Sequence, residues 1–470
     1  MPNVSDRPRT YKKPALEDVD PITNYIPASV RDKFDERQMD RFKKLRKFVE
    51  FECLPLDTVY LQESTLFEHE SDLETCPVII NLRKKLEAYQ LHKMFVPMDQ
   101  RGYDHSFNDN WEVVSMVEFA MIAFLAGRSV IASYLFHLDD LIDLGTIQVL
   151  LRNGCSNHDL WVQVIDELVS NNMKSCLMVS ERDVSGSDAL NVQTTCKIEG
   201  DDLNEEEATM TLNGTKWFIK DAGDSDIWLV LCANDIDATE FDEGNIYRKH
   251  TLCLVNRNDL PPNSTRIEPI ETNEAIGKFY EVQFKDCKVP LNIIGERGEG
   301  YQILQMKSSV TKLFQCLKLC GMGQESLRLS NKRAAERKVF GSKLQKSEYF
   351  KFDLAHWRIK IETCKLLCFN AAIKCDYEGV KAAREEIGMV KAVTPKEISS
   401  LVDWSIQLHG CYGLCSTQTP LSHMWQVSRS LRINDTPDES LISQLGRLEI
   451  SNYNKFQKTY DQELTTLAGK

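Results

Sequence analysis

Carboxyl groups crowd one short stretch of this chain, at Asp435, Asp438 and Glu439 in LRINDTPDES. A carboxylate held against an activated carbon acid can take its proton. The same letters also suit a turn that starts a helix, because Asp and Ser cap, Pro ends extended chain and acids favour a helix N-terminus. Just upstream, QLHGCYG sets Gly410 and Gly413 where backbone can come close to something. SERDVSGSD follows a β-rich run and offers the hydroxyls of Ser180 and Ser187 around a turn at Gly186. LNGTKWFI carries the adjacent aromatics Trp217 and Phe218, and AAERKVFGSKL puts Arg337 on a helix with Phe340 and Gly341 at its end. Taken singly, each has a plainer account: a polar loop, half-buried strand aromatics, a surface arginine near a helix stop.

These groups need elements to hold them. Residues 1–27 are polar and proline-punctuated, a loose arm. Over 28–171 the apolar spacing is helical: Phe42, Leu45, Phe48 and Val49 share one face, and Gly127 is a stop for WEVVSMVEFAMIAFLAG. Over 172–290 short β-rich runs follow one another. Thr209–Leu212 and Tyr280–Phe284 alternate in polarity, and Asn213-Gly214 reads as a two-residue hairpin turn. This predicts a small antiparallel, barrel-like β domain, with acidic or polar surface loops at 200–207 and 234–249. Over 291–460 long amphipathic patterns predict a four-helix-type bundle, with Pro395 kinking or restarting one helix, and 461–470 is a tail. The fold class expected is mainly α with a small middle β domain.

Bulk properties narrow the partners. Net charge is −13, so the broad basic face a nucleic-acid binder needs is not expected. The fifteen cysteines contain no C-x-x-C pair, and no histidine pattern completes a metal site; they read as reduced core residues of an intracellular protein, and no metal is expected. The histidines of the first helical region, His69, His92, His105, His137 and His158, are scattered. No apolar run reaches the roughly 20 residues that span a bilayer. MPNVSDRPRT lacks an apolar signal core, and LAGK is not a peroxisomal tripeptide.

Together and in order, SERDVSGSDA, LNGTKWFI, IGERGEGYQILQ, AAERKVFGSKL, VDWSIQLHGCYG and LRINDTPDE resemble the acyl-CoA dehydrogenase family over roughly residues 30–460. The VDWSIQ and DTPDE wording is similar to the large-chain branch, often fused to a phosphotransferase-like domain; no such domain is expected in this chain. The resemblance implies FAD as cofactor and an acyl-CoA thioester as substrate. A carboxylate removes the α proton and the flavin accepts the β hydride. It implies that Asp435 is the base. It assigns Leu177, Met178, Val179, Ser180, Phe218, Ile219, Arg337, Phe340, Pro437 and Glu439 to the flavin. Gln407, Gly410 and Cys411 would reach the pyrophosphate of a neighbouring subunit's flavin, which implies a homodimer or homotetramer. Ser187, Ser309, Lys312 and Thr436 fall to the substrate. The electron acceptor is an electron-transfer flavoprotein or oxygen. The family default of a mitochondrial matrix location meets no clear presequence here, and a cytoplasmic one is the alternative. Arg182, Phe218, Lys220, Cys411 and Lys312 depart from the common pattern, Thr311 is no carboxylate, and Asp435-Thr436-Pro437 replaces Glu-Gly-Thr. A non-catalytic, acyl-CoA-binding or sensing relative is therefore the second expectation.

Overall fold

The computed structural model describes residues 25–64, 76–99, 109–199, 208–234, 248–272 and 274–468. Most of the polar arm at 1–27, the acidic loop at 200–207, and His69 and His105 lie outside them. In the first helical region, helix Glu36–Phe48 opens on a reciprocal cap. Asp35 Oδ1 accepts from Gln38 N at 2.8 Å, and Gln38 Oε1 accepts from Asp35 N at 3.0 Å. Phe42, Leu45, Phe48 and Val49 are all buried, as one apolar face requires.

Helix Met116–Ala126 is buried on every side and packs on helix Gly300–Glu336. Glycines set how close the two come. A Cβ at Gly321 would stand 2.2 Å from Phe124 O, and one at Gly127 would stand 2.4 Å from Lys318 O. Backbone thus meets backbone, and one hydrophobic core runs from the first helical region into the bundle.

The middle sheet has seven strands. Strand Thr209–Lys220 pairs with Thr195–Glu199 on one side and Phe279–Pro290 on the other. It does not turn at Asn213-Gly214. The chain runs straight through, and the ladder to Phe279–Pro290 shifts register there, with Gly214 at φ 140°, where an added Cβ would stand 2.7 Å from Thr194 Cα. Pairing with Phe279–Pro290 on both sides of the dipeptide outweighs the local turn preference, and the glycine is spent on a bulge. The sheet is also mixed rather than purely antiparallel: Ser175–Met178 and Thr195–Glu199 both run parallel to Ile227–Asn234.

The last region holds helices Gly300–Glu336, Glu348–Glu378, Arg384–His409, Leu421–Ser430 and Asp438–Ala468. Helix Arg384–His409 continues through Pro395 without restarting. The architecture is that of two helical regions flanking a middle curled β sheet.

Candidate functional site

A cavity of about 1500 Å³ opens where the sheet faces the bundle. Its sheet side is built from Leu177, Val179, Ser180, Ser187, Phe218 and Ile219. Its bundle side includes Lys307, Thr311 and Lys312 of helix Gly300–Glu336, and Asp435, Thr436 and Pro437 of the turn before helix Asp438–Ala468. Lys307 and Thr311 are not among the predicted residues; the other ten are, and they share one space. Met178 points into the sheet core instead, fully buried. Ser309 Oγ donates to Gln305 O at 2.8 Å, a bond internal to its helix. Glu439 sits in the first turn of Asp438–Ala468.

The acidic turn is unusual in backbone. Asp435 has φ 55° and Thr436 has φ 106°. The turn is closed by Arg432 Nε donating to Asp438 Oδ2 at 2.7 Å and by Asp438 N donating to Arg432 O at 3.3 Å. Ser440 Oγ donates to Ser187 Oγ at 3.4 Å, which ties the sheet-side loop to the helix following the turn. Burial pushes the Lys307 and Lys312 ammonium groups below the ordinary lysine value, against the pull of Asp435. Deeper in the wall, burial takes Lys318 down to about 7, although its ammonium pairs with Asp139.

On the sheet side, Glu181 holds the loop. Its carboxylate accepts from Gln193 N at 2.8 Å, Thr194 N at 3.0 Å, Thr194 Oγ1 at 2.7 Å and Lys216 Nζ at 2.9 Å. Burial works to raise its pKa, but the Lys216 ammonium and the Thr194 bond outweigh that and hold it below the usual range. Lys216 also donates to Val179 O at 3.1 Å. The ring of Phe218, at φ 60°, stacks on Phe279 with centroids 4.1 Å apart, forming a flat apolar platform at the cavity. Lys220 turns into the protein, to Asp139 O at 3.0 Å and Asp221 Oδ2 at 3.2 Å. Arg182 pairs with Glu281 and lies over Trp217.

The remaining predicted residues form a separate, outer group. Arg337 follows the end of its helix rather than lying on it, and Phe340 is fully exposed at the turn of the short hairpin Lys338–Val339/Ser342–Lys343. Gln407, Gly410 and Cys411 are exposed, and a Cβ at Gly410, φ 65°, would meet nothing within 4 Å. Arg333 joins the two parts, with Nη2 donating to His409 O at 3.4 Å and its guanidinium over Tyr412. None of these five lines the cavity.

Sequence reasoning missed Lys216, Glu181 and Lys391. Lys216 left a signal: it falls on the inward parity of a strand with Met210 and Leu212, where a charge needs a buried partner. Among the described residues, no cluster of His, Cys, Asp and Glu could hold a metal ion, and no helix is long and apolar enough to cross a membrane.

Two family models match: the acyl-CoA dehydrogenase middle domain over residues 176–287 and the acyl-CoA dehydrogenase C-terminal domain over 298–448, together more than half of the chain. The chain belongs to the acyl-CoA dehydrogenase family, a family of flavoprotein oxidoreductases of fatty acid metabolism. It is 28% identical over 418 residues to acyl-CoA dehydrogenase family member 11 of Homo sapiens, covering 88% of this chain and 50% of that one. To the Gallus gallus protein of the same name it is 29% identical over 385 residues, 81% and 46% of the two chains. The chain thus spans about half the length of these relatives. Butyryl-CoA dehydrogenase from Megasphaera elsdenii superposes with a TM-score of 0.68 at 19% identity, over 89% of this chain and 99% of that one. The glutaryl-coenzyme A dehydrogenase glutaryl-CoA complex superposes with 0.70 at 17%, over 89% and 96%. At these identities the superpositions speak for the fold.

Proposed function

We propose that this chain is an FAD-dependent dehydrogenase of an acyl-CoA thioester, with Asp435 as the base. The observation that carries the reading is that Asp435 walls the same cavity as the Phe218–Phe279 platform and the Leu177–Ser180 edge. A flavin ring is flat and largely apolar, with polar atoms along one edge. Phe218 offers the flat face, Leu177 and Val179 the apolar margin, and Ser180 a hydroxyl. The donor set therefore fits the group. When bound, FAD supplies the acceptor for the β hydride. Asp435 takes the α proton, so one proton and one hydride leave adjacent carbons and a C=C bond forms. Lys216 and Glu181 fix the Val179–Glu181 segment that would hold the flavin, and Ser187, Lys312 and Thr436 would border the thioester. Pro437, at the cavity wall, and Glu439, two residues further on, would contact the flavin in this reading. Met178 and Ser309 act through the backbone segments they belong to.

Arg337, Phe340, Gln407, Gly410 and Cys411 complete the flavin site of a second copy in this reading. Their shared exposure supports it, and a homodimer or homotetramer follows. The large-chain branch remains part of the reading, supported by relatives about twice the matched length. Electrons pass on to an electron-transfer flavoprotein or to oxygen. The boundaries 1–27, 28–171, 172–290, 291–460 and 461–470 stand as proposed domains, and a mitochondrial or cytoplasmic site as the proposed location. The test is the absorption spectrum of the purified protein, with flavin bands that bleach on adding an acyl-CoA. A folded, colourless protein that takes up no FAD overturns the reading.

One observation favours a second reading, a relative that binds acyl-CoA without turnover. Lys220 stands where a flavin-bonding threonine is common, and its ammonium is committed to Asp139 and Asp221. Tight acyl-CoA binding by calorimetry, with no electron transfer to any acceptor, would favour that reading over the first.

A further inference from the structure

Two successive side-chain-bearing residues at positive φ are costly, and a β-branched one at φ 106° is the worse of the two. Asp435 and Thr436 are such a pair, so something must hold the turn. Lys391 is fully buried in helix Arg384–His409, and its Nζ lies 2.5 Å from Leu431 O and 3.2 Å from Thr436 O. One ammonium thus grips the carbonyl before the turn and the carbonyl inside it. The Arg432–Asp438 pair braces the outer side alone.

We propose that Lys391 is a positioning residue for the reaction: its ammonium clamps the Leu431–Thr436 turn in a conformation the sequence disfavours, and so fixes the Asp435 carboxylate at the cavity wall. This rests on the reading of Asp435 as the base. Burial opposes the Lys391 charge, while Cys316 on helix Gly300–Glu336 and Asp435 and Asp438 on the turn favour it. The Nζ grips backbone carbonyls. A lysine kept solely to neutralise a carboxylate would point its donors at oxygens of Asp435 or Asp438, and neither bond is made.

The test uses the full chain with Lys391→Met, which keeps the stem and removes the charge. A reacting group displaced by about 1 Å costs roughly 10²-fold in rate, so kcat is expected to fall on that order while KM and flavin content stay near the unmutated values. Thr436→Gly removes the disfavoured backbone. Added to Lys391→Met, it is expected to restore much of kcat, a rescue a merely stabilising lysine would not give. Amide hydrogen exchange over 431–438 is read in parallel and is expected to rise in Lys391→Met and to fall back in the double variant. If Lys391→Met does not fold, Lys391→Gln, which keeps an uncharged NH2 donor group, is expected to show the same effects in smaller measure. Unchanged kcat and exchange, or losses that Thr436→Gly leaves untouched, overturn the clamp. If the unmutated chain shows no turnover, or if Asp435→Ala leaves turnover intact, the function reading fails by itself, and hydrogen exchange still decides the clamp.

Discussion

The two turns of the Gln407–Glu439 stretch make opposite use of similar backbone. At Gly410 the chain bends at positive φ in the open, between the buried His409 and the exposed Cys411, with nothing within 4 Å of a would-be Cβ. At Asp435–Thr436 it bends at positive φ with the Thr436 carbonyl gripped by a buried lysine, and Asp435 is exposed to the cavity it lines. The open turn uses glycine because a residue without Cβ takes positive φ without strain. The Asp435–Thr436 turn tolerates side chains because the Lys391 and Arg432–Asp438 contacts over-determine it. A turn that presents backbone outward suits a ligand shared with another copy, and a turn that presents one side chain inward suits a base.

The largest expected effect breaks the chemistry of the Asp435–Thr436 turn. Asp435→Ala should lower turnover by about 10²–10⁴-fold, the usual worth of a general base, with flavin and acyl-CoA still bound; unchanged steady-state rates would move the base elsewhere. Next comes the wall opposite. Lys216→Met leaves Glu181 buried without its cation, at a cost of roughly 3–5 kcal/mol, read as a fall in the denaturant midpoint. A change no larger than at a surface site would show that the Glu181 loop is held otherwise. At the open turn, Gly410→Ala should cost about 1–3 kcal/mol through backbone strain alone, since no clash awaits the methyl. A smaller loss would mean that the open turn relaxes freely.

The pH dependence separates the two halves further. Burial first, and the Lys318 cation second, depress the cavity-side His423 to about 4 from an ordinary 6.5. The unfolded chain then binds more protons between those values, so this contribution to stability is present above about 6.5 and is lost as pH falls toward about 4. His423→Gln should flatten that part of the unfolding free-energy curve measured against pH. An unaltered curve would place the acid sensitivity elsewhere. The smallest effect is expected at Cys411→Gly, within about 0.5 kcal/mol in stability, as for a surface position without partners. It should show instead as firmer flavin retention.

Much of the fold was legible because it is written in period. Phe42, Leu45, Phe48 and Val49 repeat at helical spacing and are buried together. The order of helices, strands and helices follows from where apolar spacing switches between three-to-four and two. Local turn chemistry was less reliable. Asn213-Gly214 carries a strong hairpin signal, yet it became a bulge, because strand partners far along the chain decide whether a strand ends. Of the predicted site, Leu177, Val179, Ser180, Ser187, Phe218, Ile219, Lys312, Asp435, Thr436 and Pro437 border one cavity, while Arg337, Phe340, Gln407, Gly410 and Cys411 gather outside it.

The sequence by itself determined the elements, their order and the residue types that could do chemistry, since each depends on neighbours a few positions away. Only the tertiary structure decided what holds those residues. Lys391 reaches carbonyls 40 and 45 residues along the chain, and Lys216 meets a carboxylate 35 residues before it. Backbone carbonyls carry no letter of their own, so a lysine that grips two of them leaves no pattern in sequence. It becomes visible only when helix Arg384–His409 packs against the turn that carries Asp435.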